Sequence, residues 1–514
     1  MRKIIRIIRF ENVLLILTAV YILVCFAYIE KHPLVSWDET FYIEPSCRFL
    51  TTGSFSSPSS FPPALGFETT NVVYGRIFLF INSIIFYIFG VGLQQMRLLS
   101  FISGITVLLL TYLVAIKLFS NRKIAAGAVL ILATSHLFML LSRFVRPEML
   151  VTLFLLLSLY LFLLAEENGS QFLFFLSGLS AALSVDTHLA GVTSIFMLMV
   201  LMVKKMTEKP LNYKFLPAAA AGVITGIIWW IVMHIVLNYD IFFFQIQNFW
   251  SYVSPPTWEL GSISNIFLKE FQRYYQFFWV ARPHRNVYWL LLFVISLIYL
   301  VKNRNEKSCK TILLAMLGCI IGFTLVVPGP NTFYLMFIFP LLVISVSNFL
   351  YQQFVSNHKL KRFAAIILTL GLFMLLSAEN FYKFYYFRNA DYHSYISKIK
   401  PYVPENSVVM GQLTNWLGFR TQHYYGDLLL FRKSSYQWQH LKEYLREKNV
   451  RYLIVDKWFY DFADKTGGSE QLNSFIKNNC MLVGTAEDEF YGSYEYTNKP
   501  KTLITEIYKI KNYN

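Results

Sequence analysis

The sequence predicts a polytopic α-helical membrane protein of about eleven transmembrane helices, with interfacial helices in its first outer loop and a small C-terminal extracytoplasmic α/β domain. Apolar runs of about twenty residues recur along most of the 514-residue chain, which is the length needed to cross a hydrocarbon core. The runs are continuous rather than alternating, which fits helices and excludes a membrane barrel. Lys and Arg gather in the short segments between runs. Composition agrees: the chain is 55% hydrophobic, 18% aromatic and only 15% charged, with a mean hydropathy of +0.46. The net charge of +16 therefore belongs to loops and not to a nucleic-acid surface.

The spans fall near 11–29, 97–118, 124–142, 148–165, 171–185, 189–203, 215–237, 286–301, 311–327, 332–351 and 363–380. Arg2 to Arg9, Lys117 to Lys123, Lys204 to Lys214, Lys302 to Lys310 and Lys359 to Arg362 are basic connections, and positive residues stay inside. The loop Glu166 to Ser170 belongs inside too, yet it carries no Lys or Arg. The N-terminus resembles a signal peptide, but the run from Val13 to Ile29 is long and no small-x-small cleavage pattern follows, so it reads as a retained first helix. An odd number of spans puts the N-terminus in the cytoplasm and the C-terminus outside. High Ile, Lys, Asn, Phe and Tyr content points to an AT-rich bacterial genome, and so to a bacterial cytoplasmic (inner) membrane.

The first outer loop runs from about residue 30 to 99. Its stretch "RIFLFINSIIFYIFG", Arg76 to Gly90, is apolar, but counting it as a span puts the later basic loops outside. It reads instead as an interfacial helix. A second outer loop, Asn238 to Arg285, is rich in Trp and Tyr, as suits a membrane interface. Residues 1–381 form the membrane domain and 382–514 the outer domain. There, "ENSVVMG" and "RYLIVD" read as strands, and "QWQHLKEYLREKN" as the helix between them. No Gly-rich phosphate loop opens that helix. Five scattered cysteines lack metal or disulfide spacing, although Cys47 and Cys480 share the outer side and are the one pair open to bridging.

The ionisable groups of the outer side gather at one level. The stretch "SWDETFYIEP" gives Asp38, Glu39 and Glu44, and the same loop adds Glu68. "SRFVRPEML" gives Arg143, Arg146 and Glu148. "VDTHLAG" gives Asp186 and His188. The second loop ends with Arg282, His284 and Arg285, and "VVPGPNTFY" adds Asn331 and Tyr334. A transporter needs polar groups near the bilayer midplane, and here the span interiors hold almost none. A rim site can keep a lipid tail in the membrane and a phosphate head group outside. Carboxylates serve there as bases, and Arg or His binds the phosphate. Each feature also has a plainer reading. Asp38 and Glu39 fit a solvated turn, Arg146-Pro147-Glu148 fits a helix cap, and Asp186 with His188 fits a loop hydrogen bond. His136 and His234 read as structural.

Together these features resemble the C-fold (GT-C) glycosyltransferases that use polyprenyl-phosphate sugars, in particular the lipid A aminoarabinose transferases and protein O-mannosyltransferases. The likeness covers roughly residues 10–350. The family's D-E-x-R-Y-x-E motif is matched by Asp38, Glu39, Tyr42 and Glu44, with Phe41 replacing the Arg. F-E-K-P is matched by Phe67 and Glu68, with Thr69 replacing the Lys. The late R-Y-L-L-P-L-x-P helix is matched at Tyr334 and Pro340.

The resemblance implies an inverting sugar transfer with Asp38 as general base, helped by Glu39 or Glu68. Tyr42, Glu44, Arg143, Arg146, Glu148, His188, Arg282, Arg285 and Tyr334 then bind substrate. The donor is a polyprenyl-phosphate sugar. The acceptor is a glycan (lipopolysaccharide or wall polymer), a lipid or a protein. No cofactor is fixed, with a divalent cation as the open option. The alternatives are a lipid or polysaccharide transporter and a polysaccharide ligase or polymerase of similar architecture.

Overall fold

A computed structural model describes residues 10–61, 65–207, 213, 215–253, 263–280, 287–327, 331–427, 438–492 and 502–511. The helices follow the apolar runs. They are α1 (Phe10–Ala27), α2 (Trp37–Thr52), α3 (Arg76–Phe89), α4 (Leu93–Phe119), α5 (Arg122–Thr134), the short α6 (His136–Leu141), α7 (Glu148–Asn168), α8 (Gln171–Thr187) and α9 (Val192–Met206). Then come α10 (Phe215–Trp230), α11 (Tyr239–Val253), α12 (Ile263–Tyr275), α13 (Val287–Lys302), α14 (Lys307–Val326), α15 (Phe339–Phe354) and α16 (Lys359–Tyr386). Among the described residues six helices are long and apolar enough to cross a membrane, and four shorter ones are apolar.

Small residues let the bundle close. On α8 and α10, a Cβ at Gly178 would stand 2.1 Å from the Ala219 carbonyl oxygen, and one at Gly222 would stand 2.0 Å from that of Phe175. The two backbones touch there, as small-residue stripes permit in membrane helices. The loop after Glu166 lacks bases, but Glu166 collects them from elsewhere: Lys307 at 3.3 Å, Lys205 at 3.5 Å and Lys204 at 4.0 Å. Lys117 pairs with neighbouring Glu167. The basic connections at Lys117, Lys204–Lys205 and Lys307 therefore meet the Glu166–Glu167 loop at one end of the bundle.

α3 has 14 residues, about 21 Å of helix, too short for a hydrocarbon core of about 30 Å. It buries Phe78, Leu79, Ile85 and Phe86 while Tyr87, Ile88 and Phe89 are exposed. That one-sided pattern suits a helix lying along an interface.

The C-terminal part holds a five-stranded sheet of β1 (Val409–Gly411), β2 (Tyr424–Gly426), β3 (Tyr452–Val455), β4 (Cys480–Asp488) and β5 (Leu503–Ile510), in the order β2-β1-β3-β5-β4. β1 is parallel to β2 and β3, and β5 is antiparallel to β3 and β4. The predicted helix between β2 and β3 forms over Leu441–Glu447. This part is fused to α2: Tyr42 and Ile43 share one apolar core with Tyr392, Tyr395, Val409 and Ile454. The Thr40 hydroxyl also donates to the Leu413 carbonyl at 2.9 Å. All five cysteines are free, Cys47 and Cys480 included. Cys480 is buried in the core of the sheet, so the pairing left open by the sequence does not form.

Candidate active site

The stretch "SWDETFYIEP" is the opening of α2. Ser36 is its N-cap, and Glu39 stands three residues on as the partner of a capping box. The Glu39 carboxylate accepts the Ser36 backbone N–H at 3.0 Å. This satisfies donors that a helix start leaves open and fixes the rotation of the first turn. Asp38 and Glu39 then point to different surroundings.

Glu39 is fully buried and saturated. Arg97 of α4 reaches it with two parallel bonds, Nε to Oε1 at 2.9 Å and Nη2 to Oε2 at 2.8 Å. The Val145 N–H adds a third contact at 3.1 Å. The same Arg97 holds the carbonyls of Ile29 and Pro33 at 2.7 and 2.8 Å. Glu39 and Arg97 thus clamp α2 and α4 to the turn before α7, and no carboxylate position is left for a substrate. This differs from the catalytic role expected of Glu39, because the capping box turns the side chain inward.

Asp38 keeps 24% of its side chain exposed and pairs with Arg146 Nη1. The Arg146 Nε and Nη2 both donate to Glu148 Oε1, at 2.9 and 2.7 Å. One guanidinium therefore joins two carboxylates, while Glu148 Oε2 is buried without a partner. Burial raises the Asp38 carboxyl above its ordinary value of 3.8; Arg146 opposes the rise and Glu148 adds to it. Arg146-Pro147-Glu148 is thus more than a cap, since both charged side chains are used in one buried corner.

Aromatic rings line that corner. Arg146 lies over Phe333 at 4.9 Å, and the Tyr334 ring is 5.4 Å from that of His188. Burial brings the His188 imidazole down to about 4; Glu148 works against this and Arg146 with it. His188 Nδ1 accepts the Ala190 N–H at 3.1 Å, so the imidazole is a neutral acceptor. Asp186 is used elsewhere: it accepts from Ile77 N–H at 3.2 Å, at the start of α3, and contacts His234 Nε2 at 2.6 Å. His234 is structural, as read.

The remaining expected residues divide. Tyr42 packs on Tyr74 at 4.9 Å, within the corner's wall. Glu44 is buried and accepts the Ser59 N–H at 2.8 Å and the Ser60 hydroxyl, so it folds the outer loop instead of facing a substrate. Glu68 is 45% exposed and 3.8 Å from Lys448 of the C-terminal part. Arg143 is buried beside Phe384 and makes no contact with Asp38. Arg282 and Arg285, with His284, lie outside the described residues.

Where the family pattern would have a base, Phe41 stacks on Phe61 at 4.8 Å, and Phe61 on Phe67 at 4.2 Å, an aromatic floor. One buried base that sequence reasoning missed is already paired: Arg273 Nε donates to Glu270 Oε2 at 3.0 Å. Arg273 of α12 donates from Nη1 to the Asn331 carbonyl at 3.0 Å and lies 5.8 Å from the Tyr334 ring. Nothing in its segment "FLKEFQRYY" announces contact with a turn 58 residues on. Arg76 was also missed; its Nη2 donates to the Thr70 hydroxyl at 3.3 Å and its Nη1 is buried without a partner. Burial lowers its pKa to about 10. Among the described residues no group of three or more His, Cys, Asp or Glu side chains gathers as a metal site.

The whole chain aligns with ArnT from Cupriavidus metallidurans bound to undecaprenyl phosphate, at a TM-score of 0.57 and 11% identity, over 97% of this chain and 98% of that one. The fold is that of the GT-C glycosyltransferases. The oligosaccharyltransferase of Archaeoglobus fulgidus is also similar, at a TM-score of 0.52 and 12% identity, over 95% of this chain and 74% of that one. Residues 76–232 match the family described as dolichyl-phosphate-mannose-protein mannosyltransferase. A curated, uncharacterised protein of Aquifex aeolicus is 29% identical over 150 residues. The matched stretch spans 29% of that relative's length.

Proposed function

We propose that the protein is a membrane glycosyltransferase that moves a sugar from a polyprenyl-phosphate donor to an acceptor at the sheet-bearing end of the bundle. The observation that carries this reading is the partly open Asp38 carboxylate, 24% exposed and held by Arg146 against Glu148 in an otherwise closed corner. The GT-C fold supports it, as do the undecaprenyl phosphate bound by the Cupriavidus protein and the dolichol-phosphate bound by the archaeal one.

In this reading Asp38 takes the proton from an acceptor hydroxyl. The oxygen attacks the anomeric carbon, and the bond from that carbon to the phosphate oxygen breaks. The electron pair leaves on the polyprenyl phosphate, and the sugar's configuration inverts. A single displacement needs one base and no carboxylate nucleophile. Arg146, which lies against Asp38, meets the developing phosphate charge, and preorganised cations are effective for that purpose. Tyr334 and His188 shape the sugar pocket. The acceptor is a glycan, a lipid or a protein of the cell envelope, on the outer face of a bacterial inner membrane.

The test is transfer by the purified protein, with polyprenyl-phosphate sugars as donors and inversion read by NMR of the product. An Asp38→Asn protein that inserts, unfolds at the wild-type temperature and still turns over at the wild-type rate removes Asp38 from the role.

A further inference from the structure

A second polar cluster occupies the same end of the bundle, between the ends of α1, α6 and α16, and its charge does not balance. Arg143 is 1% exposed. Its Nε donates to the Met139 carbonyl at 2.9 Å and its guanidinium lies over Phe384, 5.2 Å from the ring centre. Its Nη1 is buried without a partner, and it makes no ion pair among the described residues. His32, 4% exposed, stacks on Phe387 at 4.6 Å and has an unpartnered Nδ1. Lys383, 8% exposed, places its Nζ 2.8 Å from His136 Nε2 and 3.2 Å from Glu379 Oε1. Arg143, Lys383 and His136 all bear electrostatically on His32. Glu379 is the one carboxylate in these contacts, set against Arg143 and Lys383.

A buried guanidinium without a counter-charge is expensive. The cluster supplies what a tetrahedral oxyanion needs: a planar fork with a free N–H, an ammonium and an imidazole. A cavity lined by chain neighbours of the cluster lies at the same end, though His32, Arg143 and Lys383 do not line it. It has a volume of about 640 Å³ and opens between Phe26–Lys31 and Arg388–His393. Its walls include Lys31 and Arg388, the chain neighbours of His32 and Phe387, together with Glu30 and Asp391.

We propose that Arg143, His32 and Lys383 form a phosphate-binding site, separate from the Asp38 corner and filled by a lipid headgroup phosphate or by free phosphate. This stands without the transferase reading, because it rests on groups that do not touch Asp38.

The experiment follows thermal unfolding of the full-length protein in detergent by tryptophan fluorescence. Inorganic phosphate, phosphatidic acid and, as the phosphate-free control, diacylglycerol are titrated separately. A saturable rise in midpoint with phosphatidic acid and not diacylglycerol is expected. The same rise with inorganic phosphate assigns the site to free phosphate, and its absence there assigns it to a headgroup. Apparent affinity falls by about tenfold or more in Arg143→Gln, as loss of a charge-assisted bond predicts, and persists in Arg146→Lys. Should Arg143→Gln not fold, Lys383→Met and Arg143→Lys carry the comparison. No saturable shift with either phosphate, an equal shift with diacylglycerol, undiminished binding in the cluster variants, or loss in Arg146→Lys instead overturns the proposal.

Discussion

Asp38 and Glu39 are neighbours in the chain, yet they belong to two different regions. Glu39 lies in a dry clamp with Arg97, every oxygen engaged. Asp38 lies in a corner with 24% of its side chain open and a guanidinium shared with Glu148. A helix turns 100° per residue, so adjacent side chains face different neighbours. Two carboxylates of equal chemistry thus differ in surroundings: one is enclosed in the clamp, and the other is paired with Arg146 and keeps part of its surface open.

The division can be broken at its strongest point. Asp38→Asn is expected to lower transfer by about 10²–10⁴-fold, the usual worth of a general base, with an unchanged unfolding temperature; the assay is turnover per folded molecule. Glu39→Gln should do the opposite. It leaves Arg97 buried against a neutral partner, which costs about 3–5 kcal/mol of stability. Thermal unfolding reads this, and a variant as stable as wild type removes the clamp.

The pH dependence sharpens the same contrast. Burial and Glu148 both raise the Asp38 carboxyl, so transfer should fall as pH drops through a value above 3.8. In Glu148→Gln one raising influence is gone, and the acid limb of the pH–rate profile should move down. A limb that moves up, or does not move, assigns the titration to another group. The smallest effect is expected at Glu68. Its pair with Lys448 is long and half exposed, and such pairs are worth about 0–1 kcal/mol. Glu68→Ala should unfold within a degree or two of wild type, and a transfer loss as deep as that of Asp38→Asn would place Glu68 in the reaction beside it.

Much of this was legible in order along the chain. The apolar runs mark the helices because spans must be continuous in lipid. The start of α2 at "SWDE" was not read from the sequence, where Asp38 and Glu39 fit a turn; the Ser36–Glu39 capping box emerges in the structure. The reading of α3 as interfacial rests on its loop's position and on the basic loops that follow it. The base partners were not legible. Arg97 meets Glu39 across 58 residues and Arg146 meets Asp38 across 108. Arg143 and Arg146 look equivalent in "SRFVRPEML", yet Arg146 joins two carboxylates and Arg143 joins none among the described residues.

By itself, then, the sequence determined the membrane class, the apolar helices, strands β1 and β3 with a helix between them, and the gathering of charge at one end. These depend on composition and local period, which neighbours in the chain carry. Only the tertiary structure decided which carboxylate is saturated, which arginine is paired, and that Arg273 packs beside Tyr334. Pairing and burial depend on what arrives from distant segments, and no local pattern encodes that arrival.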